Sequence, residues 1–306
     1  MPFAPRPYFD WHLRTRTLPL GQRTILMGIL NVTPDSFSDG GHFYSPEDAS
    51  VRAVAHAFQM LDEGATILDI GGESTRPNAT PLTTDEEQSR ILPVIESILR
   101  QRPDAVLSID TFHASTAQFG VEAGVEIVND VSGHLWDQSM STTCAALGCG
   151  AVLMHTRGRP QEWPTLPPLA PDEVLPLVLA ELAERLESAL TAGISRHKIV
   201  LDPGLGFGKR LDENYSLLAH LEQLRHFNLP ILVGASRKGF LGNTLAQSSA
   251  RTAAEHQTQP IIDARVHATT AANVAAILAG AHILRVHDVR PAIEAAAIAD
   301  RILTAL

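Results

Sequence analysis

The chain has 306 residues, 44% of them hydrophobic and 19% charged, with a formal net charge of -10 at pH 7. This composition is typical of a globular protein that is long enough to bury a large core. The acidic balance excludes a protein that binds duplex nucleic acid mainly through phosphate contacts, since such proteins carry a basic surface. We therefore expect no nucleic-acid partner.

The N-terminus lacks the uninterrupted apolar stretch of a signal peptide, and no segment reaches the ~18 consecutive apolar residues of a membrane-spanning helix. The two cysteines, Cys144 and Cys149, fit neither a zinc motif nor a disulfide framework, and we interpret them as small packing residues. These features predict a cytoplasmic protein with no membrane partner. We treat residues 1–20 as an N-terminal extension and residues 21–306 as one domain.

Eight short apolar runs follow one another along the chain, and each is followed by a turn and a stretch of helix-forming residues. They are residues 24–30, 65–70, 105–109, 125–129, 150–154, 198–202, 230–234 and 282–286. Runs of this length between helices are typical of parallel strands in βαβ units. Eight such units favour an α/β fold of one domain, a closed (β/α)₈ TIM barrel, over an open doubly wound sheet.

Helix signals are clear in two of the intervening segments, residues 46–63 and 174–192. In the second segment, Leu182, Leu186 and Ala189 fall on one face of a helix, as expected for a helix that packs on a sheet. The spacing therefore predicts amphipathic helices outside the barrel.

Three long connections follow predicted strands, at residues 31–45, 71–84 and 155–172. On a barrel, all three lie at the C-terminal mouth, where barrel enzymes place their sites. The first connection lacks the G-x-G-x-x-G spacing of a dinucleotide loop, which further disfavours an open nucleotide-binding sheet. The third contains five prolines and is predicted to be ordered without being helical. Residues 243–262 look like a polar, variable insertion.

Polar or charged residues stand at the ends of seven of the eight predicted strands. They are Asn31, Asp69, Asp110, Asn129, Asp202, Lys238, and Arg285 with His287. Any single one is explained more simply as a turn former or a helix cap. That explanation weakens when the feature recurs at seven strand ends, so we predict a polar site at the mouth.

Strand side chains alternate between the two faces of a sheet. If Leu284 and Val286 pack on the helices, Arg285 must point into the barrel mouth, and so must His287. The same alternation places Asp69 on the face of Ile67. It also places Asp202 on the face of Val200.

Three cations, Arg76, Lys238 and Arg285, come from different loops or strand ends. One such side chain is usually only solvated, but three that meet at one mouth beside His287 are suited to a phosphate or pyrophosphate. The 13 histidines show no metal-binding spacing such as H-E-x-x-H, which disfavours a zinc enzyme. Mg²⁺ is compatible with the chain, because the Asn31 amide, substrate phosphate oxygens and water are suitable hard ligands.

Longer motifs run in order from about residue 21 to residue 300. They are GILNVTPDSFSDGG (28–41), LDIGGESTRP (68–77), SIDT (108–111), IVNDVSG (127–133), VLMHTRG (152–158), LDPGLGFGK (201–209), GASRKGFLG (234–242) and RVHDV (285–289). Together these motifs resemble those of the dihydropteroate synthases. The first two are the most specific, since both are long and neither is generic to barrels.

The resemblance implies a reaction in folate synthesis. Such an enzyme joins 6-hydroxymethyl-7,8-dihydropterin pyrophosphate to 4-aminobenzoate, giving dihydropteroate and pyrophosphate. The C–O bond of the pterin ester is expected to break before the amine attacks, so catalysis rests on charge stabilisation and positioning. No protein nucleophile is needed for this reaction.

The resemblance also implies the roles of individual residues. The dihydropterin edge is bound by Asp110, Asn129 and Asp202. The pterin ring is contacted by Lys238, Met154 and Phe207. The pyrophosphate is held by Arg285, His287 and Asn31, with Mg²⁺ on Asn31. The aminobenzoate site is formed by Thr75, Arg76 and Ser236. The implied catalytic groups are Asp110, Lys238, Arg285 and His287, while Asp35 and Asp69 order the loops or hold the metal.

Other functions stay open at this point. A non-catalytic pterin-binding paralogue would keep the barrel, and a methyltetrahydrofolate-dependent methyltransferase would share the strand-end Asp and Asn residues but lack a pyrophosphate site. The resemblance further implies a homodimer that forms through helices late in the chain. The apolar stretch at 271–281 fits either that interface or the core.

Overall fold

The computed structural model describes residues 4–33, 46–73, 81–251 and 261–305. The strands are β1 (Phe9–His12), β2 (Thr17–Leu20), β3 (Ile25–Asn31), β4 (Ile67–Gly71), β5 (Val106–Asp110), β6 (Ile127–Asp130), β7 (Gly150–Met154), β8 (Ile199–Asp202), β9 (Leu232–Val233) and β10 (Ile283–Val286). The helices are α1 (Pro46–Asp62), α2 (Thr84–Gln101), α3 (Ala114–Glu122), α4 (Met140–Leu147), α5 (Pro171–Thr191), α6 (Leu211–Ala219), α7 (Gly239–Arg251), α8 (Ile261–Leu278) and α9 (Val289–Leu303). Two 3₁₀ segments, Arg196–Lys198 and Leu221–Phe227, precede β8 and β9.

Eight parallel strands form one sheet in the order β8-β7-β6-β5-β4-β3-β10-β9. A parallel bridge between Leu201 and Ile231 joins the two ends of this sheet, and the Leu201 amide donates to the Pro230 carbonyl at 3.0 Å. All eight predicted strands are therefore present. The prediction of a single-domain (β/α)₈ barrel is confirmed.

The two predicted helices correspond to α1 and α5. In α5, Leu182, Leu186 and Ala189 are buried, as their spacing predicts. Arg185 is also buried, and it donates to the carbonyls of Met154 and Thr156, each at 2.9 Å. The hydrogen bonds of Arg185 therefore hold α5 against the C-terminal end of β7.

The strands separate two cores, as the alternation of side chains requires. Leu284 and Val286 belong to the outer core between strands and helices, whereas Ile283 lies in the inner core of the barrel. Arg285 therefore points inward, as predicted. Ile67 and Val200 also belong to the inner core, which puts Asp69 and Asp202 on the inward face.

An antiparallel hairpin of β1 and β2 closes the N-terminal end of the barrel. Trp11, Leu13 and Leu20 are buried against the inward residues at the bases of the strands, so the hairpin and the barrel share one core. The Trp11 Nε1 donates to the Lys198 carbonyl at 2.9 Å, and Lys198 Nζ donates back to the Leu13 carbonyl at 2.9 Å. Residues 1–20 thus contain the plug of the barrel, which we did not predict.

Two segments late in the chain, the predicted insertion at 243–262 and the apolar stretch at 271–281, fall in or next to helices α7 and α8. Residues 243–251 continue α7, while 252–260 fall outside the described residues. In α8, Ala272, Ala276 and Ile277 are buried in the outer core. No helix among the described residues is long and apolar enough to cross a membrane.

Candidate functional site

Arg285 projects from β10 into the barrel mouth and binds two carboxylates. Its Nε donates to Asp69 Oδ2 at 2.5 Å and its Nη2 donates to Asp110 Oδ2 at 2.5 Å. Because β3 separates β10 from β4 in the sheet, these bonds reach across the mouth and not to an adjacent strand. Burial alone would lower the pKa of Arg285, but the two carboxylates raise it above its ordinary value, so the guanidinium stays charged.

Asp69 is fully buried and anchors a second polar contact. Its Oδ2 also accepts a hydrogen bond from Asn129 Nδ2 at 2.8 Å, which links β4 to β6 through their side chains. Asn129, one of the predicted pterin ligands, is thereby held in a fixed orientation. Ser108 lies beside Asp69 in the sheet register and is also completely buried.

Asp110 shares the Arg285 guanidinium with Asp69. Burial and the negative charges of Asp69 and Asp130 together raise the pKa of Asp110 to about 7, against the attraction of Arg285 and Lys238. Among the described residues, Arg285 is the one cation bonded to both carboxylates, and Lys238 attracts Asp110 without a direct ion pair, so the charge of Asp110 is only partly neutralised. Asp110 can therefore accept or donate a hydrogen bond near neutral pH.

Asp202 and Lys238 have pKa values shifted in opposite directions by the same burial. Burial raises the pKa of Asp202 to about 6, although its Oδ1 accepts the Gly204 amide at 2.7 Å and Lys238 attracts it. Burial and the positive charge of Arg285 together lower the pKa of Lys238 to about 8, although Asp202 and Asp110 raise it. Shifts of this kind in a barrel mouth are typical of functional sites.

Phe207 and Met154 form the apolar part of the mouth, in a small cluster with Val131. The Nζ of Lys238 lies 3.9 Å from the centre of the Phe207 ring, which is a cation–π contact. A flat heteroaromatic ligand that meets this wall would also reach the buried carboxyl groups with its polar edge.

Ser236 joins the ends of β9 and β10. Its Oγ accepts the His287 backbone amide at 3.1 Å and lies 3.0 Å from His287 Nδ1. The neighbouring Arg237 adopts a left-handed conformation with φ 56° and binds Asp288 through Nε at 3.0 Å and Nη2 at 2.5 Å. This bidentate pair fixes the turn that carries Lys238, and we did not predict it.

Glycines let the loops after β7 and β8 pack against each other. Gly204 has φ 67°, and a Cβ atom there would lie 1.9 Å from the His155 carbonyl oxygen. A Cβ at Gly208 would lie 2.5 Å from the Arg157 carbonyl oxygen. Only glycine allows backbones this close. Lys209, buried between the loops, donates to the His155 carbonyl at 3.3 Å and ties the two together.

Two buried carboxyl groups beside the site were missed. Glu87 in α2 accepts from Thr111 Oγ1 at 3.0 Å, and burial raises its pKa to about 7. Asp130 accepts the backbone amide of Ser132 at 2.7 Å, and burial raises its pKa to about 6. Glu87 stands in an acidic first turn that looks solvent-facing in the sequence, so no pattern reveals its burial.

The predicted metal ligand lies in the described part of the chain, whereas three residues of the long loops do not. Thr75 and Arg76, assigned to the aminobenzoate site, lie outside the described residues, and so does Asp35. Asn31, the predicted metal ligand, ends β3 next to Gly71 of β4 and is partly exposed. Across the described ranges, no group of three or more His, Cys, Asp or Glu side chains is arranged to hold a metal ion.

The remaining predicted site residues all lie at the C-terminal ends of the strands or in the loops that follow them. They are Asn31, Asp110, Asn129, Met154, Asp202, Phe207, Ser236, Lys238, Arg285 and His287. Together they combine hydrogen-bonding groups for a polar edge, an apolar wall and two cations. The arrangement suits a flat heterocycle that carries an anionic group.

Comparisons with known proteins agree with this arrangement. The family described as pterin binding enzyme matches residues 27–287 of the chain. The dihydropteroate synthase of Escherichia coli (strain K12) is 40% identical over 280 residues, which cover 92% of this chain and 92% of that protein.

Solved structures show the same similarity. A dihydropteroate synthase from Yersinia pestis with a sulfonamide drug complex has a TM-score of 0.84 and 39% identity, and the match covers 97% of this chain and 100% of that chain. One from Xanthomonas albilineans with 4-aminobenzoic acid has a TM-score of 0.81 and 38% identity, covering 97% and 98%. These similarities favour a synthase over the methyltransferase alternative.

Proposed function

The chain belongs to the dihydropteroate synthases, pterin-binding enzymes of folate synthesis, and we propose that its barrel mouth performs their condensation with the residues described above. The pterin pyrophosphate ester and 4-aminobenzoate are the substrates. The observation that carries this assignment is the cluster of Asp110, Asp202, Lys238 and Arg285 beside the Phe207 wall, with Asp202 buried and the other three half-buried.

Asp110, Asn129 and Asp202 bind the polar edge of the dihydropterin in this proposal. That edge presents amino and amide N–H donors, which pair with carboxylate and amide oxygens. Asn129 is already oriented by Asp69, and Asp202 by the Gly204 amide. Because these contacts fix the two acceptor side chains before the ligand arrives, binding costs little side-chain entropy.

Arg285 holds the pyrophosphate, together with His287. A guanidinium has five N–H donors, and its bonds to Asp69 and Asp110 use two of them. The other donors remain for the phosphate oxygens, so one side chain connects the pterin carboxylates to the leaving group. His287 is oriented for the same purpose by its contact with Ser236.

The reaction breaks the C–O bond of the ester, and the electron pair leaves with pyrophosphate. The amine nitrogen of 4-aminobenzoate then forms a bond to the pterin methylene carbon and loses a proton. The residues of the chain stabilise the leaving anion through Arg285 and the cationic methylene through the nearby carboxylates. Lys238 and Phe207 hold the ring in place, which supplies the orientation that the second step needs.

The aminobenzoate site includes Ser236 in this proposal, with Thr75 and Arg76 from the loop after β4. Ser236 Oγ lies on the same turn as Lys238, so the two side chains are suited to the aminobenzoate carboxylate. The Xanthomonas albilineans structure, obtained with 4-aminobenzoic acid, supports a site for this compound in the family.

We also propose that the enzyme uses Mg²⁺, with Asn31 as its protein ligand. A single amide oxygen is a weak site by itself, which fits an ion that arrives with pyrophosphate oxygens and keeps several waters. When bound, Mg²⁺ would supply positive charge to the leaving group. The test is turnover after chelation and Mg²⁺ addition: Asn31→Ala should need a higher Mg²⁺ concentration for half-maximal activity, and an unchanged requirement would remove Asn31 from this role.

A homodimer in the cytoplasm is the remaining part of the proposal. Ile298 on α9 is 66% exposed and Ile302 39% exposed, which supports an apolar contact late in the chain. Cys144 and Cys149 are both free thiols, as expected in a reducing compartment. Light scattering on the purified protein measures the oligomeric state, and a monomeric mass would contradict the dimer.

The function is tested by a coupled assay that contains the dihydropterin pyrophosphate, 4-aminobenzoate and Mg²⁺. We expect pyrophosphate release that depends on 4-aminobenzoate, with a product of the mass of dihydropteroate. Lys238→Ala should lose most turnover while the protein stays folded. A folded wild-type protein that binds pterin but releases no pyrophosphate would support the non-catalytic paralogue instead.

A further inference from the structure

The loop after β7, residues 155–170, reaches across to the loop after β8, and its Trp163 places an indole ring against Phe207. Trp163 contacts Phe207 edge to face, with ring centres 5.5 Å apart and an interplanar angle of 87°. This geometry is the favourable one for an aromatic pair. A second partner of Phe207 is the Lys238 ammonium, 3.9 Å from the ring centre.

We propose that Trp163 is a positioning residue of the synthase site, which holds the Phe207 ring in the orientation that Lys238 and the pterin require. The inference rests on the proposed function, because Phe207 and Lys238 are assigned to the pterin there. Trp163 also packs against the apolar cluster that Phe207 forms with Val131 and Met154. Among the described aromatic pairs, its ring contact is with Phe207, so we expect its main effect on the reaction to pass through that ring.

Hydrogen bonds and prolines restrict the loop that carries Trp163 and keep the indole ring against Phe207. The Trp163 Nε1 lies 3.4 Å from the Gly158 carbonyl, within a turn where the Glu162 side chain accepts the Arg159 amide at 2.5 Å. Prolines at 160, 164, 167 and 168 restrict the backbone around the indole. Prolines reduce the conformational freedom of the unfolded loop, so less entropy is lost when the loop folds and fixes the indole ring.

Hydrogen bonds join this loop directly to the segment around Phe207. Arg157 donates to the Gly208 carbonyl at 3.2 Å and to the Pro167 carbonyl at 3.1 Å. From the other side, Arg210 donates to the Pro164 carbonyl at 3.2 Å. The two loops thus behave as one unit, and the indole packs on Phe207 as part of it.

A second aromatic pair at the mouth serves as the matched control. Trp136 contacts Phe112 edge to face, with ring centres 5.1 Å apart, and both flank the same apolar cluster as Trp163. Trp136 makes no ring contact with Phe207 among the described aromatic pairs. Arg159 of the Trp163 loop lies over the Trp136 ring, 5.1 Å from its centre. Loss of the Trp136 ring therefore removes another contact of the same loop, but it removes no ring from Phe207.

The experiment compares steady-state kinetics of Trp163→Ala, Trp163→Phe and Trp136→Ala in the coupled assay. We expect Trp163→Ala to lower kcat/KM for the pterin pyrophosphate about 10-fold, the scale of one lost aromatic contact with its positioning effect. Trp163→Phe should restore most of this loss, because a phenyl ring can keep the edge-to-face contact. Trp136→Ala should change kcat/KM less than Trp163→Ala.

A double-mutant cycle with Phe207→Leu shows whether the effect passes through Phe207. In the Phe207→Leu background, Trp163→Ala should have almost no further effect. Equal losses in both backgrounds, or wild-type kinetics in Trp163→Ala, would overturn the proposal. If the wild-type enzyme itself makes no dihydropteroate, the proposed function fails instead, so the two failures are distinguishable. Circular dichroism confirms that each variant is folded.

Discussion

The two ends of the barrel are built from the same inward-facing strand positions but have opposite chemistry. At the base, Trp11 and Leu20 of the hairpin pack against aliphatic side chains such as Ile67 and Val200. Two residues further along the same strands stand Asp69 and Asp202, both buried at the mouth. The base excludes water with apolar contacts, whereas the mouth buries charge.

This difference separates stability from function along the barrel axis. Burial of apolar side chains at the base stabilises the fold by roughly 25 cal/mol per Å². Buried charges at the mouth cost free energy unless they are paired, and Arg285 offsets part of that cost for Asp69 and Asp110. We therefore expect substitutions at the base to change stability alone, and substitutions at the mouth to change activity together with stability, since they alter the pairing of buried charges.

Arg285→Ala should give the largest effect, because it removes the cation that both carboxylates share. We expect kcat/KM to fall about 1,000-fold or more, and stability to fall by about 3 kcal/mol as the buried Asp69 and the half-buried Asp110 lose their partner. Calorimetry should show that binding of the pterin pyrophosphate ester weakens more than binding of the free hydroxymethyl pterin. Equal weakening of both would contradict the pyrophosphate role of Arg285.

Trp11→Ala is the corresponding change at the base. It removes a buried ring and its hydrogen bond to Lys198, so urea unfolding should show a loss of about 4 kcal/mol. The kcat of the protein that remains folded should stay close to that of the wild type. A fall in kcat without loss of stability would show that the hairpin communicates with the mouth.

Asp202→Asn should lower turnover and raise the free energy of unfolding at neutral pH. The folded-state pKa of about 6 lies above the ordinary value of 3.8, so the folded protein holds this proton more tightly than the unfolded chain. The resulting stabilisation is full below pH 3.8 and is lost as pH rises to about 6. An asparagine does not ionise, so at pH 7 the variant should be more stable than the wild type by about 3 kcal/mol.

The check is urea unfolding of both proteins between pH 4 and pH 7, together with turnover at pH 7. The advantage of the variant should grow as pH rises through this window, while its turnover falls about 100-fold. A constant difference in stability across the window would mean that the pKa of Asp202 is not raised.

Lys198→Met should have the smallest effect of the four changes. Lys198 Nζ donates to the carbonyls of Leu13 and Gly148, at 2.9 Å and 2.6 Å, on the far side of the barrel from the mouth. Loss of these bonds should lower stability by about 2 kcal/mol, with kcat and KM unchanged. Thermal unfolding and the coupled assay measure both, and a changed KM would contradict the separation of the two ends.

Much of the site follows from the sequence because strand alternation is a local rule. The inward direction of Asp69, Asp202 and Arg285 can be predicted from the alternation of side chains along a strand, once the face that packs on the helices is identified. The hairpin was missed, although Phe9, Trp11 and Leu13 alternate with polar residues in the way that indicates a strand. That signal is short and stands outside the recurring βα pattern.

The sequence by itself determined the eight strands, the barrel, the family and the set of polar residues at the mouth. Only the tertiary structure decided which of them meet. Arg285 and Asp69 are 216 positions apart, and their bond depends on how the barrel closes and which rotamers fit. The same holds for Trp163 and Phe207, and for the burial of Glu87. Periodicity fixes the face of each residue, but its partners depend on packing over the whole chain.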